Sequence, residues 1–140
     1  MDNYKLNAYM KIARTTGSPR QTEAEALVLG AQKLIACRDS WDSEDKEDKK
    51  ELLNEALKFN QKLWSIFQGA LISADNPLPK ETKLNLLRLS AFVDKQIFKI
   101  MAYPSPEKLT PIINVNLGIA AGLRGELDPV GNFEPVEPRI

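Results

Sequence analysis

The side chains that usually carry covalent chemistry are thinly supplied in this sequence. It has 140 residues and no histidine. That removes the commonest general base near neutral pH and the commonest transition-metal ligand. Cys37 is the one cysteine, so neither an internal disulfide nor a cysteine-based metal site can form. Without a histidine partner it reads as a buried or incidental thiol. Carboxylates are plentiful, but their densest run, SEDKEDKKE at 43–51, interleaves them with lysines in the manner of a solvated helix face. GLRG at 122–125 follows no strand and carries no phosphate-loop logic. No catalytic set, cofactor or metal site is expected, and the chain is expected not to be an enzyme.

What remains is binding chemistry. Trp64 and Phe67 lie on one helical stripe, either as core or as anchors in a groove for a partner helix. Tyr9, Arg14, Pro19 and Arg20 flank the first break in the chain. Arg20 falls at the positive end of a helix, where the dipole disfavours it, which hints at a partner elsewhere. Asn60, Asn114 and Asn116 sit within apolar runs. A buried amide without a partner costs about 1–3 kcal/mol, so Asn60 and one of the other two are expected to bond backbone groups at a helix end or loop.

The composition bounds the partners. Nineteen basic residues cancel nineteen acidic ones, so direct nucleic-acid binding is not expected. No run approaches the ~18–20 apolar residues of a membrane span. MDNYKLNAYMKIARTTG, at the start, lacks the apolar core of a signal peptide. A lone thiol suits a reducing compartment, and a cytoplasmic location without membrane association is expected.

The elements that must position these residues are all helical. A short, loosely periodic helix is expected over Asn3–Arg14. Ser18, Pro19 and Gln21 then give a cap, a first-position proline and a capping-box residue. The helix they open carries Ala24, Leu27, Val28, Ala31, Leu34 and Ile35 on one stripe and ends near Cys37 or Arg38. Ser43 is the expected cap of the longest helix, about 44–74. Its stripe is Leu53, Ala56, Leu57, Asn60, Trp64, Phe67 and Leu71, widened by a second row at Leu52, Phe59, Leu63, Ile66 and Ala70. So wide a stripe suggests the centre of a bundle.

SADNPLP reads as a turn, and Pro79 opens a helix over about 79–102. That helix has two apolar rows: Leu84, Leu87, Ala91, Phe98 and Met101, and beside them Leu86, Leu89, Val93, Ile97 and Ile100. Ser105 and Pro106 suit a single turn. Thr110 and Pro111 restart a final helix, about 111–124, with Gly125 as its stop. Gly118 and Gly122 offer that helix a smooth strip for close approach. With no strand pattern, the expected fold is an all-α single-domain bundle of four to five helices over 1–125. The tail at 126–140, rich in proline, is expected to be extended or disordered.

Three stretches, NAYMKIARTTGSPRQTEAEAL, ALKFNQKLWSIFQGALISADNPLP and INVNLGIAAGLRGEL, together resemble the FlaF family of flagellar biosynthesis regulators of alphaproteobacterial type. The shared pattern is an A-Y-x-K-x-A-R-x-T…S-P-R-x-x-E opening, an N-x-x-L-W helix centre, a D-N-x-L-P turn and an I-N-x-N-x-x-I-A-x-G-L-R-G end. The resemblance runs from about residue 3 to 127. The DSWDSEDKEDKKE segment and the tail beyond Leu127 depart from it.

The resemblance implies a small cytoplasmic secretion chaperone that binds flagellin before export. It also implies action with the regulator FlbT to couple flagellin translation to filament assembly. Flagellin's amphipathic terminal helices would then sit in a groove between the long and final helices. Trp64, Phe67, Leu117 and Leu123 would line it, and Arg14, Arg20 and Arg124 would supply rim charge. The alternatives are a regulator of flagellin message acting through a protein partner, and a helical adaptor.

Overall fold

The computed structural model describes residues 19–43 and 45–125. Four α-helices follow one another: α1 (Pro19–Asp39), α2 (Lys46–Ile72), α3 (Lys80–Ala102) and α4 (Thr110–Leu123). A 3-10 turn, Pro106–Leu109, leads directly into α4. Among the described residues there is no strand, and the fold is all-α as the patterning predicts. The helix expected over Asn3–Arg14, the Ser18 cap and the tail at 126–140 lie outside the described residues.

The helices close a ring in which α1 packs on α2, α2 on α3, and α3 on α4, while α4 returns most extensively onto α1. Gly30 lies beside Asn60, and Lys33 pairs with Glu55, so α1 and α2 are antiparallel. Leu27 meets Asn116, and Arg38 meets Thr110, so α1 and α4 are antiparallel as well. α2 is therefore not the central helix its wide stripe suggests. It has helical neighbours on two sides only, and Leu52 and Ala70 of its second row are exposed.

Side-chain size explains the tight pairing of α1 with its neighbours. Its inner face carries Ala24, Ala26, Gly30 and Ala31 among Leu27, Leu34 and Cys37, all buried. α4 returns Ile112, Ile113, Val115, Ile119 and Ala120 to the same core. α2 adds Phe59, Leu63 and Trp64, and α3 adds Leu89, Val93, Ile97 and Ile100.

The boundaries have local causes. The cap of α2 is Asp45, whose carboxylate accepts from the amides of Glu47 (2.8 Å) and Asp48 (3.0 Å). Ser43, the expected cap, instead donates its hydroxyl to the Ser40 carbonyl. Asn76 in the turn donates to the Ala70 carbonyl and accepts from the Leu78 amide, closing α2 and aiming the chain toward α3. Leu109 is fully buried and anchors the 3-10 turn. Gln96 fixes that turn from α3 by donating to the Lys108 carbonyl at 2.8 Å. Because the turn runs straight into α4, Thr110 caps nothing, and its hydroxyl receives Arg38 instead. α4 stops at Gly125, whose φ of 73° lies in the left-handed region glycine favours.

Candidate partner-binding surface

The polar residues of the sequence motifs meet in the core. The indole N–H of Trp64 donates to Asn116 Oδ1 at 3.0 Å, and Asn116 Nδ2 donates to Asn60 Oδ1 at 2.7 Å and to the Leu27 carbonyl at 3.2 Å. Asn60 Nδ2 donates to the carbonyls of Gly30 at 3.1 Å and Ala56 at 2.9 Å. The direction of the chain is fixed from one end. An indole only donates, so Asn116 must present its oxygen to Trp64 and its nitrogen to Asn60. Asn60 must then turn its own nitrogen toward carbonyls.

The expected partnership of Asn60 and one of Asn114 and Asn116 with backbone groups is found for Asn116, while Asn114 is exposed. The carbonyls they reach lie within helices rather than at a helix end or loop. No buried side-chain nitrogen or oxygen among the described residues is left without a partner. The close backbone approach falls at Gly30, where an added Cβ would stand 2.6 Å from Asn60 Oδ1. Gly118 and Gly122, the expected smooth strip, are half-buried.

This network removes the expected groove between α2 and α4. These helices stand diagonally across the ring, and the space between them is filled by Trp64, which is 1% exposed. Phe67 is half-buried, edge-on to Trp64 with ring centroids 5.6 Å apart. Leu123 packs against the core, whereas Leu117 is partly exposed.

Arg20 and Arg124 are exposed, and both lie at the end of the bundle where α1 begins and α4 finishes. Beside Arg20, burial pushes the Glu23 carboxyl above its ordinary range, and the Arg20 charge opposes that rise. Tyr9 and Arg14 lie outside the described residues. Pro19 is the first residue of α1.

The exposed apolar surface lies elsewhere. α3 turns Leu89, Val93, Ile97 and Ile100 inward and carries its other apolar row outward. Phe98 is 74% exposed, Met101 62% and, just past the helix end, Tyr103 77%; Leu84 and Ala91 are also exposed on this side. The sequence contains both rows. A helix at one corner of a four-helix ring buries only one of them, and the ring is not written in the periodicity. Lys108 lies over the Tyr103 ring, 5.6 Å from its centroid, and donates to the Tyr103 carbonyl.

A shallow polar depression between α2 and α3, lined by Lys58, Gln61, Lys62, Ser65, Gln68 and Asp94, holds no nucleophile–base pair. Among the described residues no group of histidine, cysteine and carboxylate side chains could hold a metal ion. None of the described helices is long and apolar enough to cross a membrane.

Comparison with curated proteins and with solved structures gives no significant match. Comparison with protein families matches residues 5–123 to the family described as flagellar protein FlaF. That span takes in the Trp64–Asn116–Asn60 network, the Asn76 turn and the whole of α1 to α4. The chain belongs to the FlaF family of flagellar proteins.

Proposed function

We propose that this chain is a cytoplasmic flagellin chaperone: it binds flagellin before export and thereby helps couple flagellin synthesis to assembly. The reading is supported by family membership over residues 5–123, together with the outward apolar row of α3. A contiguous apolar face on a soluble domain usually marks a contact with another molecule. Flagellin's terminal segments form amphipathic helices in the filament and would otherwise associate with one another beforehand. A helix face holds such a segment through anchors at i, i+3, i+4 and i+7. The activity is binding alone, with no bond made or broken. Control of flagellin synthesis, through FlbT or another protein, follows from how much flagellin is held.

The experiment is to mix the purified chain with flagellin monomers. Co-elution at micromolar concentration and delayed flagellin self-association are expected. Unchanged elution and unchanged self-association would refute the reading.

A further inference from the structure

The outer face of α3 has a charged edge as well as an apolar row. The helix carries Lys80, Lys83, Arg88, Lys95 and Lys99 against Glu81 and Asp94, in a chain whose net charge is zero. At about 100° per residue, Arg88, Lys95 and Lys99 fall along one side of the row Leu84–Leu87–Ala91–Phe98–Met101. All three are exposed, and none pairs with a carboxylate among the described residues. Arg88 reaches only the side-chain oxygen of Asn85, at 3.3 Å. From Leu84 to Met101 the row is about 26 Å long.

We propose that this face takes an amphipathic helix of about five turns whose apolar stripe is bordered by carboxylates that lie against Arg88, Lys95 and Lys99. The inference rests on the reading that the chain holds a flagellin helix, and it specifies where that helix sits and what charge it must carry. A second copy of the chain fits poorly. In antiparallel two-fold pairing like edges meet, which sets these three cations against an edge of the same kind, with Glu81 at its start the one carboxylate on it. In parallel pairing they meet Lys83 and Asp94, one of each sign. A membrane surface also fits less well, since an interfacial helix is basic along both borders of its apolar face, and here the second border is mixed, with Asp94 offsetting Lys83.

Two measurements on the full chain test this. In the first, a photo-crosslinking phenylalanine replaces Phe98 and flagellin is added. Crosslinks to flagellin, centred on a helix with an acidic border, are expected. Crosslinks to a second copy, or within the chain itself, would overturn the proposal.

In the second measurement, two labelled peptides of about 18 residues share one apolar stripe but carry either glutamate or lysine on its border. The acidic peptide should bind about tenfold more tightly, with the preference shrinking at about 0.5 M salt. Arg88→Glu/Lys95→Glu/Lys99→Glu should reverse the preference, and Phe98→Asp/Met101→Asp should abolish binding of both. Because these positions are exposed, the variants should melt as the parent does. Equal affinity for the two peptides, or partition into anionic phosphatidylserine vesicles in place of peptide binding, overturns the proposal. Flagellin that binds while the peptides go undistinguished defeats this inference alone. Peptide preference without flagellin binding defeats only the choice of client.

Discussion

Trp64 of α2 and Asn116 of α4 lie 52 residues apart in sequence and 3.0 Å apart in space, joined across the ring by the indole N–H and the amide oxygen. Their helices share no direct backbone packing, so this bond and the Asn116–Asn60 bond behind it set the register between them. An apolar core would tolerate a one-turn slip of α4. This one does not, because a slip strands buried donors and acceptors, each at about 1–3 kcal/mol. The network thus ties the N-x-x-L-W and I-N-x-N motifs to the architecture of the fold.

Trp64→Phe keeps an aromatic ring and removes the donor, leaving Asn116 Oδ1 buried without a partner. A loss of about 1–3 kcal/mol is expected, against about 3–5 kcal/mol for Trp64→Ala, which also opens a cavity. Urea titration measures both. A double-mutant cycle of Trp64→Phe with Asn116→Ala should show coupling of about 0.5–3 kcal/mol. Additivity would mean the bond contributes nothing to stability.

The same network makes one glycine irreplaceable and leaves another free. At Gly30 an alanine methyl would meet Asn60 Oδ1 at 2.6 Å and Asn116 Nδ2 at 2.9 Å. Gly30→Ala should therefore destabilise by about 1–3 kcal/mol through overpacking, despite the helix-propensity gain of about 1 kcal/mol. At Gly69, exposed on α2, nothing lies within 4 Å of an added Cβ. Gly69→Ala should be stabilising, by up to about 1 kcal/mol. Opposite signs in thermal melts are the expected outcome.

The helices were legible because their causes are local. The α1 stripe, the Pro106 turn and the Gly125 stop follow from periodicity, proline and glycine. The sequence does not choose between Ser43 and Asp45 as the cap of α2, because both are good capping residues two positions apart, and only the formed turn shows which side chain reaches the free amides. Burial of Asn60 and Asn116 could be argued from their apolar neighbours. Their partners could not, since Leu27, Gly30 and Trp64 are brought together by tertiary packing alone. A wide apolar stripe likewise gives the extent of burial but not the neighbour, so the sequence leaves Trp64 as either core or anchor, and only the packing buries it while Phe98 and Met101 stay exposed.

Asp45 makes the start of α2 sensitive to acid. The hydrogen bond from the Asp48 amide, with that from Glu47, holds its carboxyl below the usual aspartate range. A depressed native pKa means the contribution is complete above the ordinary aspartate value and is lost as pH falls through the native one. Asp45→Ala should lower the melting temperature at pH 7, and the gap between the two proteins should close in strong acid. Asp45→Asn keeps an acceptor without the titration, so it should melt near the parent at pH 7 and above it in strong acid, where only the parent has lost its charged cap. Parallel melting curves from pH 7 to pH 2 for parent and alanine variant would contradict this.

Cys37 is 5% exposed on the inner face of α1. Burial, and next the Glu55 carboxylate, push its thiol above the ordinary range, with Lys33 pulling the other way. Both the proton on sulfur and the lack of access suppress reaction, since only a thiolate attacks a disulfide reagent. In the native protein at pH 8, modification by an aromatic disulfide should be slow and limited by local opening of α1. Unfolding in urea should bring it to the rate of a free cysteine. Trp64→Ala, by loosening the core that covers α1, should speed the native reaction, by up to about tenfold for each ~1.4 kcal/mol removed from the opening free energy. A native rate already near that of the unfolded chain would mean that α1 does not shield the thiol as the packing requires.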